Sequence, residues 1–140
     1  MRELKRLAGE LPVVFPMHPR TRKMCGEFDI PLDSANGLRI LEPIGYHDSL
    51  CLTESARFVL TDSGGLQEES TYFKTPCLTL RPNTERPITV TIGSNKLTDL
   101  DHLSRDIDEA LSRNGEGGRV PPLWDGQTSR RIIDCLIAGS

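Results

Sequence analysis

Four short apolar runs constrain this chain more than any other feature. They are "PVVFP" (residues 12–16), "LRILEP" (38–43), "RFVLTD" (57–62) and "PCLTLR" (76–81). Each has strand length and is bounded by Pro or charged residues, as buried strands are. The apolar residues are continuous rather than alternating, which fits strands covered on both faces. Between the runs lie polar stretches with helical spacing: 18–28, 46–56 and 66–73, the last closed by Pro76. "NKLT" (95–98) reads as a fifth strand. Residues 99–113 carry Leu100, Leu103, Ile107 and Leu111 at three-and-four spacing, the pattern of an amphipathic helix. A last helix, capped by Asp125 or Thr128, would bury Ile132, Ile133, Leu136 and Ile137. Strands alternating with helices in units of about 20 residues predict an α/β protein with a parallel sheet.

Composition narrows the function. At 140 residues the chain is the size of one ordinary domain. A net charge of -3 and a pI near 5.6 leave no general basic surface for nucleic acid. Aromatics are too few for a base-stacking platform. No apolar run is long enough to span a bilayer, and the opening "MRELKRLAGELP" lacks the apolar core of a signal peptide. Cys25, Cys51, Cys77 and Cys135 are far apart with no CxxC pair. Neither a metal site nor a disulfide framework is expected, and reduced thiols of a cytoplasmic protein are the better reading. The loop at 114–118 ("NGEGG") and the stretch "RVPPLWDG" set residues 120–140 apart as an extension ending in a helix.

In a parallel sheet, ligands sit beyond the carboxyl ends of the strands. Three loops there carry chemistry: "PMHPRTR", "DSGGLQEE" and "RPNTERP". The second joins a strand to a helix. A helix N-terminus offers unpaired N–H groups and the positive end of the macrodipole. Gly64 and Gly65 would let a ligand approach that backbone, and Ser63 adds a hydroxyl, so the turn suits a phosphate. Glu68 and Glu69, about one turn further on, could bind sugar hydroxyls. The plainer reading stands beside it: a tight turn with glycines for packing and glutamates favouring a helix start. His18 at a strand end could donate to phosphate or act as acid or base, or it could be an ordinary loop histidine. Arg86 could pair with phosphate, or Glu85 and Arg86 could bridge loops. His47, His102 and Trp124 read as surface or packing residues.

Taken in order, "FPMHPRTRK", "LTDSGGLQEE", "LRPNTERP" and "PPLWDG" resemble the non-hydrolysing UDP-N-acetylglucosamine 2-epimerases over nearly the whole chain. The resemblance implies a Rossmann-like three-layer α/β/α domain, the UDP-binding C-terminal half of a GT-B fold. It implies an isomerase that interconverts UDP-GlcNAc and UDP-ManNAc by eliminating and re-adding UDP, without a cofactor. The setting would be the cytoplasm and the pathway cell-envelope polysaccharide synthesis. Residue by residue, it implies that Ser63, Gly64 and Gly65 hold the diphosphate and that Glu69 binds the ribose. Arg86 would contact or brace the phosphate loop, and His18, the catalytic residue, would sit by the diphosphate and reacting sugar. In the family "TERP" is commonly followed by Glu, where this chain has Ile88.

The resemblance further implies that residues 1–140 are one truncated domain. The N-terminal domain, with the carboxylates that move the C2 proton, would be missing, and the isolated chain inactive. Without the domain's first strand, the remaining five would take the order 2-1-3-4-5, residues 13–15 pairing with 58–60. The shortened first helix would favour a homodimer through that region. A stand-alone UDP-binding module, a GT-B glycosyltransferase half and a hydrolysing epimerase would use the same phosphate logic.

Overall fold

The structure, a computed structural model, describes residues 1–32, 34, 37–112 and 118–139. The elements are α1 (Arg2–Ala8), β1 (Val13–Pro16), α2 (Pro19–Glu27), β2 (Leu38–Leu41), α3 (Tyr46–Ser55), β3 (Val59–Thr61), α4 (Gly64–Phe73), β4 (Cys77–Leu80), α5 (Pro87–Thr91), β5 (Asn95–Thr98), α6 (Leu103–Ser112) and α7 (Thr128–Ala138). All five expected strands are present, and every described ladder is parallel. The expected loop at 114–118 lies, apart from Gly118, outside the described residues. The chain divides into two compact units, Met1–Ser49 and Leu50–Ser140.

In the first unit β1 pairs with β2, Val13 opposite Leu38 and Pro16 opposite Leu41. Leu7 and Ala8 of α1, Met17, Cys25 of α2 and Leu38 form its buried apolar set. Gly37, which opens β2, has φ +90°, and a Cβ there would stand 2.4 Å from the Ala8 carbonyl oxygen. Both the left-handed backbone and the close approach require glycine.

In the second unit the ladder runs β3-β4-β5, with Cys77 opposite both Val59 and Asn95. Helix α4 ends where Pro76 predicts. Lys74 turns left-handed (φ 61°), and the Thr75 N–H reaches back to the Ser70 carbonyl at 2.9 Å. Leu103, Asp106, Ile107 and Ala110 form the buried stripe of α6. Much of this interior is polar: Gln67, Ser70, Thr71, Thr79 and Thr89 are wholly buried.

Several expectations need correction. The ladders are 2-1 and 3-4-5 in two sheets, and the pairing of 13–15 with 58–60 is not among the described ones. Each ladder joins strands consecutive in the chain across one helical connection, the least costly closure for parallel strands. Leu100 is 78% exposed and precedes α6, because the Asp99 carboxylate accepts the Asp101 and His102 N–H groups and holds a turn there. Helix α5 was not legible as a separate element. Helix α7 forms at the expected place, but it buries no residue, and Gln127 rather than Asp125 or Thr128 is its N-cap. Asp125 instead accepts the Gln127 N–H and pairs with Arg131.

Candidate functional site

The turn from β3 into α4 is built in two residues. Thr61 ends the strand and its hydroxyl oxygen accepts the Ser63 N–H at 3.0 Å. Ser63 is the extended N-cap of α4 (φ -84°, ψ 132°), yet its side chain makes no capping hydrogen bond. The first-turn N–H groups of such a helix have no intrahelical acceptor. Gly64 and Gly65 follow. Neither has a positive φ. A Cβ on Gly64 would meet nothing within 4 Å, and one on Gly65 only Glu69 Oε1 and Ser63 Oγ at 3.9 Å. Backbone conformation and packing therefore do not demand these glycines. Their missing side chains leave the helix start open to approach.

Carboxylates and a guanidinium surround this start. Glu69 is half-buried; burial, with the Glu68 charge added, pushes its carboxyl above the ordinary range. Glu68 pairs with Arg86 at 2.9 Å. Arg86 thereby ties the loop after β4 to the first turns of α4. In the same loop Arg81 grips Glu85 through two hydrogen bonds of 3.1 and 3.2 Å. The Glu85 N–H and then Arg81 hold the Glu85 carboxyl below its usual range. Glu85 therefore pairs within its own loop and Arg86 pairs with α4, and neither pair joins two loops.

Sequence reasoning missed what lies underneath. Gln67, 0% exposed, accepts the Thr84 hydroxyl at 2.6 Å and the Asn95 side-chain amide at 3.1 Å through one oxygen. Its own nitrogen faces the Ser63 carbonyl at 3.4 Å. Asn95 also donates to Thr89 at 3.1 Å and accepts from Thr79 at 2.6 Å. A signal was present: Ser63, Gln67, Ser70 and Thr71 share one helical face, a polar stripe where an apolar one is usual.

His18 lies in the first unit, exposed, two residues beyond β1. It is the N-cap of α2, and its Nδ1 accepts the Arg20 N–H at 3.1 Å. An accepting Nδ1 places the proton of the neutral ring on Nε2. His18 therefore presents a donor at its outer nitrogen while the inner one holds its own helix. Pro19 at the first helical position needs no N–H partner. His102 is exposed beside Asp99, as expected of a surface residue. Among the described residues no cluster of metal-binding side chains occurs.

Residues 1–137 match the family described as UDP-N-acetylglucosamine 2-epimerase. The chain belongs to that family. It is 39% identical over 131 residues to the UDP-N-acetylglucosamine 2-epimerase of Methanocaldococcus jannaschii, covering 91% of this chain and 35% of that protein. It is 38% identical over 132 residues to that of Methanococcus maripaludis, covering 91% and 36%. The crystal structure of the M. jannaschii UDP-GlcNAc 2-epimerase, in complex with UDP-GlcNAc and UDP, superimposes with a TM-score of 0.82 at 36% identity. That superposition covers 98% of this chain and 38% of the other. The chain thus spans little more than a third of these epimerases' length. Its α/β architecture is that of a Rossmann-like half of the epimerase GT-B fold.

Proposed function

We propose that this protein binds UDP-GlcNAc by its diphosphate and serves the 2-epimerase reaction that interconverts UDP-GlcNAc and UDP-ManNAc. Residues 1–140 act as one UDP-binding domain, with 120–140 as its extension. The supporting observation is the start of α4, where Gly64 and Gly65 keep the first-turn N–H groups approachable without any backbone or packing reason to be glycine. Ser63, Gly64 and Gly65 hold the diphosphate, Glu69 accepts from the ribose hydroxyls, and Arg86 braces the loop or reaches the phosphate. His18 is the catalytic residue, with Nε2 as the donor it offers to a ligand.

In the elimination a base removes the C2 proton, the C1–O bond breaks, and its electron pair leaves with UDP. Re-addition of UDP to the resulting glycal, with protonation of C2 from the other face, gives the epimer. Charge develops on the departing diphosphate. N–H donors fixed at a helix start stabilise it without reorganising. On this reading the protein is cytoplasmic, supplies cell-envelope polysaccharide synthesis and works as a homodimer. No described helix is long and apolar enough to cross a membrane.

Calorimetric titration tests the reading. UDP should bind more tightly than UMP, and uridine barely; equal affinity for UDP and uridine would overturn it. The second reading is UDP-sugar binding without chemistry, by a 140-residue chain whose match covers 35% of the M. jannaschii relative. Formation of UDP-ManNAc from UDP-GlcNAc by the purified 140-residue protein, followed by NMR, would exclude it.

A further inference from the structure

Two parts of the proposed site come from distant stretches of chain: the Ser63 cap of α4, and the loop that delivers Arg86. One buried side chain touches both. The Gln67 nitrogen faces the Ser63 carbonyl at 3.4 Å, and its oxygen accepts the Thr84 hydroxyl at 2.6 Å. That same Thr84 oxygen accepts the Arg86 N–H at 2.9 Å. The directions are consistent along the chain: Arg86 N–H to Thr84 oxygen, Thr84 O–H to Gln67 oxygen, Gln67 N–H to Ser63 oxygen. Asn95 donates to the Gln67 oxygen as well, and Thr79 and Thr89 hold Asn95. The amide is thus fixed on its oxygen side by two donors, and its orientation is not interchangeable. Thr89 closes the circuit by donating to the Arg86 carbonyl at 2.7 Å.

We propose that Gln67 is a positioning residue for diphosphate binding, setting the Ser63 cap and the Thr84–Arg86 loop at a fixed spacing through the Thr84 hydroxyl. A helix start and a guanidinium can share one diphosphate only if their separation is held to within a fraction of an ångström, and a buried, doubly anchored amide does that better than surface contacts. Leu or Met would fill the same volume but could not order the loop. The inference rests on the diphosphate reading above.

The test reads UDP and UMP affinities of the purified protein by calorimetry for wild type, Thr84→Val, Thr84→Ser and Gln67→Met, with circular dichroism and melting as folding controls. Thr84 is half-buried on the loop, so its variants report even if Gln67→Met does not fold. The expected result is that Thr84→Val loses about five- to tenfold in UDP affinity, the worth of one hydrogen bond, with a smaller loss for UMP. Thr84→Ser, which keeps the hydroxyl, should stay within about twofold. A folded Thr84→Val with wild-type preference for UDP over UMP would overturn the inference while leaving the diphosphate reading intact, and so would equal losses in the Val and Ser variants. A wild-type protein with no preference for UDP over uridine would remove both.

Discussion

Arg86 Nε stands 2.9 Å from Glu68 Oε1, so a guanidinium expected at a phosphate is held by a carboxylate of the helix that would bind it. Both side chains are about two-fifths exposed, at 44% and 42%. An exposed pair of this kind contributes about 0–1 kcal/mol to stability. Arg86→Met should therefore leave the melting temperature almost unchanged and weaken UDP by about tenfold. Glu68→Gln should keep or raise UDP affinity, because it releases the guanidinium. A loss of affinity in Glu68→Gln would mean that the ion pair itself shapes the site.

Gly65 separates binding from folding in sign. Its φ is not positive, and an added Cβ meets only atoms at 3.9 Å, so no backbone change is forced. Alanine within a helix is favoured over glycine by up to about 1 kcal/mol. Gly65→Ala should melt no lower than wild type. UDP should nonetheless bind more weakly by about 1–3 kcal/mol, as the methyl obstructs N–H contacts to a charged group. A variant that melts lower but binds UDP normally would return the glycine to a packing role.

His18 has one nitrogen for its helix and one for a ligand, and two substitutions part them. Asn keeps an acceptor for the Arg20 N–H and is a good N-cap, whereas Gln extends an amide toward the Nε2 position. His18→Asn should keep stability and lose UDP affinity. His18→Gln should keep more affinity and lose up to about 1 kcal/mol of stability with the cap. Nitrogen NMR of the wild-type ring should show the proton on Nε2; a proton on Nδ1 would contradict the cap.

Asp106 sets part of the acid stability. Its side chain is 2% exposed. Burial pushes its carboxyl up, but hydrogen bonds from Thr98, Lys96 and Arg105 outweigh this and hold it down at about 2. A folded-state pKa below the unfolded value means that the native state binds the proton less well. The stabilisation is complete above pH 4 and is lost as pH falls from about 4 through about 2. Denaturant melts across that range should steepen for wild type and flatten for Asp106→Asn, which has no charge to lose. Parallel curves would remove Asp106 from the acid transition.

The α/β alternation, the parallel strands, a helix following the glycine pair and the family were legible in the residues. The elements rest on local chemistry: short continuous apolar runs rich in β-branched residues fit strands covered on both faces, and prolines stop helices. The family rests on the resemblance of four motifs taken in order. The rest came from contacts between residues far apart in the chain. Gln67 is wholly buried, and its oxygen is met there by the amide of Asn95, 28 residues away. Glu68 and Glu69 are both half-buried, and it is the approach of Arg86 to Glu68 that sets them apart. Likewise the apolar face of α7 is plain in sequence, while Ile132 and Ile133 prove to be 54% exposed. Periodicity tells which residues share a face; what that face meets depends on contacts between distant parts of the chain, and it is those contacts that satisfy or expose a polar group.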